Sequence, residues 1–321
     1  MRRRLFLGSM TLSSALAAGA RAQQRPQISI LHSGFPNLTP IHKLYEELAK
    51  RGYESGRTAT IELQGAEGDV ERLRLMAAGL AARRPDVTIA LTSPAVRALK
   101  EAGMAGPVVF AFVIDPVGLG VVKSFARPGG NFTGQTYSDA ALGAKRLSLL
   151  LDAVPGCSRV AVLWSRGLTE SEAVLDSIQR SAKSRGLELF VRELRGLDDL
   201  APSFDDAARS GAQALIFMTD NLLFGHRKQV AALALSHRLP SMHTFVLEAT
   251  DGGLMSYGPS LYESYQRVAA LAARILKGER PGDLPVEQPT KFDLVLNLST
   301  AKALSLTLPP SLMAQAEEVI E

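Results

Sequence analysis

Polar side chains follow several short apolar runs. Ser33 comes after Ile28–His32, Thr92 and Ser93 after Val87–Leu91, and Asp115 after Val108–Val113. Further on, Trp164 and Ser165 end the run that starts at Arg159. Thr219-Asp220-Asn221 follow Ala214–Met218, and Thr244 ends Pro240–Thr244 with Phe245 next. Short runs that are apolar on both faces read as buried strands of a parallel sheet. In open α/β sheets, ligands bind in crevices beyond the carboxyl ends of the strands. The chemistry these residues offer is recognition. Hydroxyls beside exposed helix N–H groups suit a carboxylate. Asp220 or Asp115 suits an ammonium, and Trp164, Phe35 or Phe245 can cover an apolar side chain. Each also has a structural reading: Asp115, Ser93 and Asp220 as helix caps, Trp164 and Phe245 as core.

Signs of catalysis are sparse. No G-x-G-x-x-G follows the first strand, and G-x-x-x-x-G-K-[ST] and G-x-S-x-G are both missing. His32, His42, His226, His237 and His243 show neither H-x-x-x-H nor H-E-x-x-H spacing, so neither a metal nor a cofactor is expected. The only cysteine, Cys157, lies between Pro155-Gly156 and a strand and reads as a small buried filler.

The elements that must position these residues alternate. Ile28–His32, Thr58–Leu63, Val87–Leu91 and Val108–Val113 read as strands. A helix with Ile41, Leu44, Tyr45 and Leu48 on one stripe follows the first. A helix capped by Asp69, with Leu73, Met76, Ala77 and Leu80 on one stripe, follows the second. Asp115-Pro116 predicts a helix opening straight from the fourth strand, broken at Pro128-Gly129-Gly130. Asn131–Gly134 then leads into a second α/β unit. Its strands are expected at Arg159–Trp164, Leu187–Val191, Ala214–Met218 and Pro240–Thr244, with helices between them. Leu254–Tyr257 reads as a further strand, Tyr262–Lys277 as a helix, and Phe292–Asn297 as a last strand before short helices. The order implies doubly wound parallel sheets.

The first residues read as an export signal. Met1-Arg2-Arg3-Arg4 is a basic start, Leu5–Ala20 is uncharged, and Ala20-Arg21-Ala22 fits a cleavage site. Arg3-Arg4 with Leu5-Phe6-Leu7 also fits a twin-arginine signal, with the Sec route as the alternative. The formal charge of +4 includes Arg2, Arg3, Arg4 and Arg21, so a chain starting at Gln23 is near neutral. No basic stripe is interleaved with aromatics, so no nucleic acid partner is expected.

Over nearly its whole mature length the sequence resembles exported solute-binding proteins of ABC importers, in the tryptophan/tyrosine-type group with the type I periplasmic-binding fold. The resemblance is carried by DPVGLGVVKSFARPGGNFTG (115–134), LGAKRLSLL (142–150), the run from Gly252 to Glu321, and the RRRLFLG leader. It implies two α/β lobes joined by three crossovers, closure on a small-molecule ligand, and delivery to a membrane permease by a monomeric periplasmic receptor. It places ligand contacts at Ser33, Thr92, Ser93, Asp115, Thr133, Asp220, Asn221 and Thr244. Trp164, in a loop that departs from the pattern of many relatives, is added as an aromatic contact. The expected division is a signal at 1–22, one lobe at 23–135 plus about 254–279, and the other at 136–253 plus about 280–321. An exported α/β enzyme, or a ligand-sensing partner of a membrane receptor, is the alternative.

Overall fold

The apolar runs become two sheets. The structure is a computed structural model that describes residues 25–36, 39–137, 140–165, 171–218 and 221–321. The expected signal at 1–22, Thr219, Asp220, the Asn221 side chain and most of the loop after Trp164 lie outside the described residues.

In the first lobe β1 (Gln27–His32), α1 (His42–Lys50), β2 (Thr60–Gly65), α2 (Val70–Arg83), β3 (Val87–Leu91), α3 (Ser93–Glu101), β4 (Val108–Val113) and β5 (Phe132–Thr136) follow one another. The sheet order is β2-β1-β3-β4-β5, all parallel. Every residue of β3 is buried, as a strand covered on both faces must be. Asp69 caps α2 by accepting from Arg72 N at 3.0 Å, and Leu73, Ala77 and Leu80 turn inward.

The second lobe continues with α4 (Ala140–Ala153), β6 (Arg159–Ser165), α5 (Ser171–Ser184), β7 (Glu188–Leu194), α6 (Leu200–Arg209) and β8 (Ala214–Phe217). Then come α7 (Asn221–Gly225), α8 (Arg227–Ser236), β9 (Ser241–His243), α9 (Val246–Thr250) and β10 (Met255–Pro259). α10 (Leu261–Leu276) precedes β11 (Phe292–Asn297), α11 (Leu298–Ala303), α12 (Pro310–Met313) and β12 (Glu318–Ile320). The second sheet runs β12-β11-β10-β9-β8-β6-β7. Its first five strands in sequence repeat the winding of the first lobe, while β11 is antiparallel to β10. The fold is therefore α/β with two parallel-sheet lobes.

Five expectations change. The chain after β4 forms turns rather than a helix, because Asp115 closes a tight turn: Gly118 N donates to its Oδ1 at 2.8 Å. Residues 132–136 are a fifth strand of the first sheet, not merely an exit. β10 belongs to the second sheet, so the chain returns to the first lobe after Pro259 rather than near residue 254. There α10 covers β3 and β4, burying Tyr265, Val268, Ala269 and Ala272 with Val87, Ile89 and Val109. The last crossing comes after Glu287, not at residue 280. The stretch before it is bonded to the first lobe, with Val286 N donating to Phe125 O at 2.7 Å and Glu287 N to Gly134 O at 2.9 Å. The final segment also adds β12 beside β11 where short helices alone were expected.

β5 lies close against β4 because residue 134 has no side chain. A Cβ there would fall 2.1 Å from Phe110 O and 2.6 Å from Phe110 N. Overpacking of this kind typically costs about 1–3 kcal/mol. Since the obstacle is backbone, Gly134→Ala is expected to lower unfolding stability by at least about 2 kcal/mol. Urea unfolding followed by circular dichroism measures this, and an unchanged midpoint would mean that β5 can shift away freely.

Candidate functional site

In each sheet the strand order reverses beside the first strand of the lobe, next to β1 in one and β6 in the other. The exits of β1 and β3 flank the first of these switch points, where a crevice forms. Ser33 leaves β1 and Thr92 leaves β3, and their hydroxyls share a hydrogen bond, Oγ to Oγ1 at 2.6 Å. Thr92 has a φ of 93°, a backbone state rare for a β-branched residue. Its own N–H donates to Ala111 O at 2.9 Å, which helps hold that state. Ser93 then opens α3, with Pro94 next to it in the first turn. The Ser93 side chain is 1% exposed, and its Oγ has no hydrogen-bond partner. A buried hydroxyl left unpaired costs stability, and this one stands at a helix N-terminus on the ligand-side edge of the sheet.

His32 shapes the loop that carries Ser33 and Phe35. Its Nδ1 accepts from Gly34 N at 2.9 Å, which requires a ring unprotonated at Nδ1. Burial is the main cause that lowers its pKa from 6.5 to about 4.

The opposing edge is built by the exit of β9. Thr244 is 1% exposed and its Oγ1 also lacks a partner. Glu248 reaches back from the first turn of α9, where its Oε2 accepts from Thr244 N at 3.1 Å and Phe245 N at 2.8 Å.

Aromatic rings bridge the two edges. Phe112 of β4 meets Phe245 edge-on at 6.3 Å and Tyr265 of α10 at 5.7 Å. Phe245 also touches Tyr137 at 5.7 Å and Phe224 at 5.6 Å. Phe35 of the first lobe meets His226 of the second edge-on at 6.0 Å. These contacts join the two lobes. Phe112 is turned toward this set by an irregularity in β4: its φ is 58°, and the β4–β5 register shifts between Phe110 and Val113.

Of the residues singled out in the sequence, Ser33, Thr92 and Ser93 form one group and Thr244 stands on the facing edge. Asp115 is exposed and occupied with its own turn. Thr133 is fully buried, with its hydroxyl donating to Leu284 O at 2.7 Å, so it ties the last crossing to β5. Trp164 is 5% exposed and belongs to the core shared by β6, α4 and α5. Its ring packs against that core. Asp220 and the Asn221 side chain fall outside the described residues. Sequence reasoning missed Phe112, Tyr137, Phe224 and Glu248.

A family model described as ABC transporter substrate binding protein matches residues 36–320. The chain belongs to this family. It is an ABC transporter substrate-binding protein. Such proteins bind small-molecule ligands outside the cytoplasm and interact with a permease. Among curated proteins it is similar to the tyrosine-binding protein of Clostridioides difficile (strain R20291), at 25% identity over 259 residues, 81% of this chain and 74% of that one. A conserved domain protein from Vibrio cholerae shares the fold with TM-score 0.85 and 23% identity, over 92% of this chain and 100% of that one. So does an ABC domain from Streptococcus pneumonia in complex with L-Trp, with TM-score 0.83, 24% identity and the same coverage. A ligand-free, open substrate-binding protein from Clostridium difficile fits less well, with TM-score 0.67 and 22% identity over 92% of this chain and 99% of that one.

The lowered pKa of His32 makes folding depend on pH. The unfolded chain takes up a proton near pH 6.5, whereas the folded chain holds off until about 4. Between those values the unfolded state binds more protons, so stability falls as the pH drops from 6.5 to 4 and is full above that window. The loss through His32 is expected to be about 3 kcal/mol. His32→Asn retains an acceptor for Gly34 N and has no proton to gain, so it should flatten this part of the curve. Urea unfolding at pH 7, 5.5 and 4.5 tests it, and equal slopes for both proteins would remove His32 as the cause.

Proposed function

We propose that this substrate-binding protein captures an aromatic or apolar amino acid, or a related carboxylate, between its lobes and delivers it to a permease. The observation that carries this reading is the meeting of aromatic rings and unpaired buried hydroxyls at the facing sheet edges. Phe112, Phe224 and Phe245 are half-buried and offer apolar surface from both lobes. Ser93, with the positive end of α3, suits a carboxylate, and Thr244 adds a hydroxyl from the other side. A ligand that supplied acceptors there would relieve two buried orphans. The relatives described as tyrosine-binding and as complexed with L-Trp support the same class.

Asp220, beyond the end of β8, is assigned the ammonium. In a closed, dry cleft such a charge pair is strong. Removing one partner leaves the other buried and unpaired, at about 3–5 kcal/mol or two to four decades in affinity. The protein is further proposed to work as a monomer in the periplasm, after removal of residues 1–22.

Titration calorimetry with L-tryptophan, L-tyrosine and L-leucine tests the ligand class. Binding of at least one in the micromolar range or tighter is expected, and no heat from any of them would overturn the reading. Ser93→Ala is expected to weaken binding at least tenfold while changing unligated stability by less than about 0.5 kcal/mol, since the hydroxyl has no partner to lose. A stability loss with unchanged affinity would make Ser93 purely structural. Asp220→Asn is expected to weaken amino acid binding by two decades or more. If affinity holds within a factor of three while the melting point falls, Asp220 only caps α7 and the solute need not carry an ammonium. Export is read separately: the amino terminus of the secreted protein should be Gln23.

A further inference from the structure

The rings that meet at the cleft are themselves held from behind by two buried charged side chains. Glu248 is 1% exposed, and its Oε2 takes the N–H groups of both Thr244 and Phe245. Its other oxygen lies 3.7 Å from His243 Nδ1. That imidazole cannot retreat, because it stacks on Phe217 at 4.8 Å and shares a 2.9 Å hydrogen bond between Nε2 and Ser241 Oγ. Gly253 closes the other side, where a Cβ would fall 2.5 Å from the ring. Gly258 presses on the turn itself, since a Cβ there would lie 2.3 Å from Thr244 O. The backbone of Phe245 is therefore gripped between a carboxylate and a packed wall.

The second charge is Arg146 of α4, one of the largest fully buried side chains at 2% exposed. Its Nη2 donates to the Tyr137 hydroxyl at 2.9 Å and its Nε to Tyr257 O at 2.7 Å. Tyr137 lies in the first crossing between lobes and Tyr257 in β10, so the guanidinium pins the Tyr137 ring to the body of the second lobe. Tyr137 and Phe245 then rest on one another at 5.7 Å with their planes 36° apart.

We propose that Glu248 and Arg146 are positioning residues that set the preference of this receptor for aromatic over aliphatic solutes, by holding the Phe245–Tyr137 pair from behind. The inference rests on the amino acid reading of the site. A ring that packs on a ligand loses less freedom when it is already fixed, so restraint of these two rings favours ligands that need a flat, defined surface. A flexible aliphatic solute gains less from such order.

The test compares four proteins: the unaltered chain, Glu248→Gln, Glu248→Ala and Tyr137→Phe. Glu248→Gln keeps a carbonyl oxygen for the two N–H groups. Tyr137→Phe keeps the ring and removes only the atom that Arg146 grips. Calorimetry with L-tryptophan and L-leucine gives the affinity ratio, and hydrogen exchange reads the Thr244 and Phe245 amides without ligand. Glu248→Ala should lose at least tenfold in affinity for L-tryptophan and less than threefold for L-leucine, with faster exchange at both amides. Tyr137→Phe should lose threefold to tenfold for L-tryptophan with exchange unchanged there, and Glu248→Gln should restore most of the ratio. If Glu248→Ala is too unstable to purify, Glu248→Gln and Tyr137→Phe decide: a ratio unchanged in Tyr137→Phe overturns the role of the grip. Equal losses for both ligands, or unaltered exchange in Glu248→Ala, also overturn it while leaving the amino acid reading intact. An unaltered chain that binds neither ligand overturns the amino acid reading, and the solute preference with it.

Discussion

Parallel strands buried on both faces leave side chains free to meet a solute only where the strands end. That constraint governs this molecule. Each lobe winds its first five strands in the same order, so each has one reversal point and one edge at which polar side chains can face outward. Ser33, Thr92 and Ser93 occupy that edge in one lobe and Thr244 in the other. Neither edge alone encloses a solute. Recognition belongs to the pair, and the Phe112–Phe245 and Phe35–His226 contacts mark where the pair meets.

The crossings make the pairing specific. The segment 281–287 runs along the first lobe, bonded through Thr133 Oγ1 to Leu284 O and through Glu287 N to Gly134 O, before it enters β11. α10 likewise belongs to the first lobe although both strands around it lie in the second sheet. The chain thus passes from one sheet to the other after Tyr137, after Pro259 and after Glu287. The buried Arg146 stands next to two of these three, with one bond to Tyr137 and another to Tyr257.

Much of this was legible in the sequence. All-apolar runs such as Val108–Val113 marked buried parallel strands, and polar residues such as Ser33, Thr92 and Thr244 do stand at the strand exits. What the sequence hid has physical causes. Phe112 sits inside an apolar run, and only the bulge with φ 58° turns it toward the other lobe. Glu248 and Arg146 read as charges on helix surfaces because their partners are backbone groups or residues distant in sequence. Asp115-Pro116 fits a helix start, but Gly118 lets the chain close on the Asp115 carboxylate as a turn instead. Trp164 reads equally as wall or core, and the burial of its strand between helices decides for core.

The placement of α10 has a consequence for how the chain matures. The strands of the first sheet are all synthesised by Thr136, yet one apolar face, with Ile28, Ile30, Val87, Ile89 and Val109, is covered partly by α10, which begins at Leu261. Until the last quarter of the chain emerges, that face is covered only in part, by α1. The amino-terminal lobe, the first to be begun, is therefore completed only after most of the second lobe has been made. A nascent or truncated chain ending before Leu276 would present a sticky surface to chaperones and proteases, and the second lobe would serve as a long tether awaiting its neighbour.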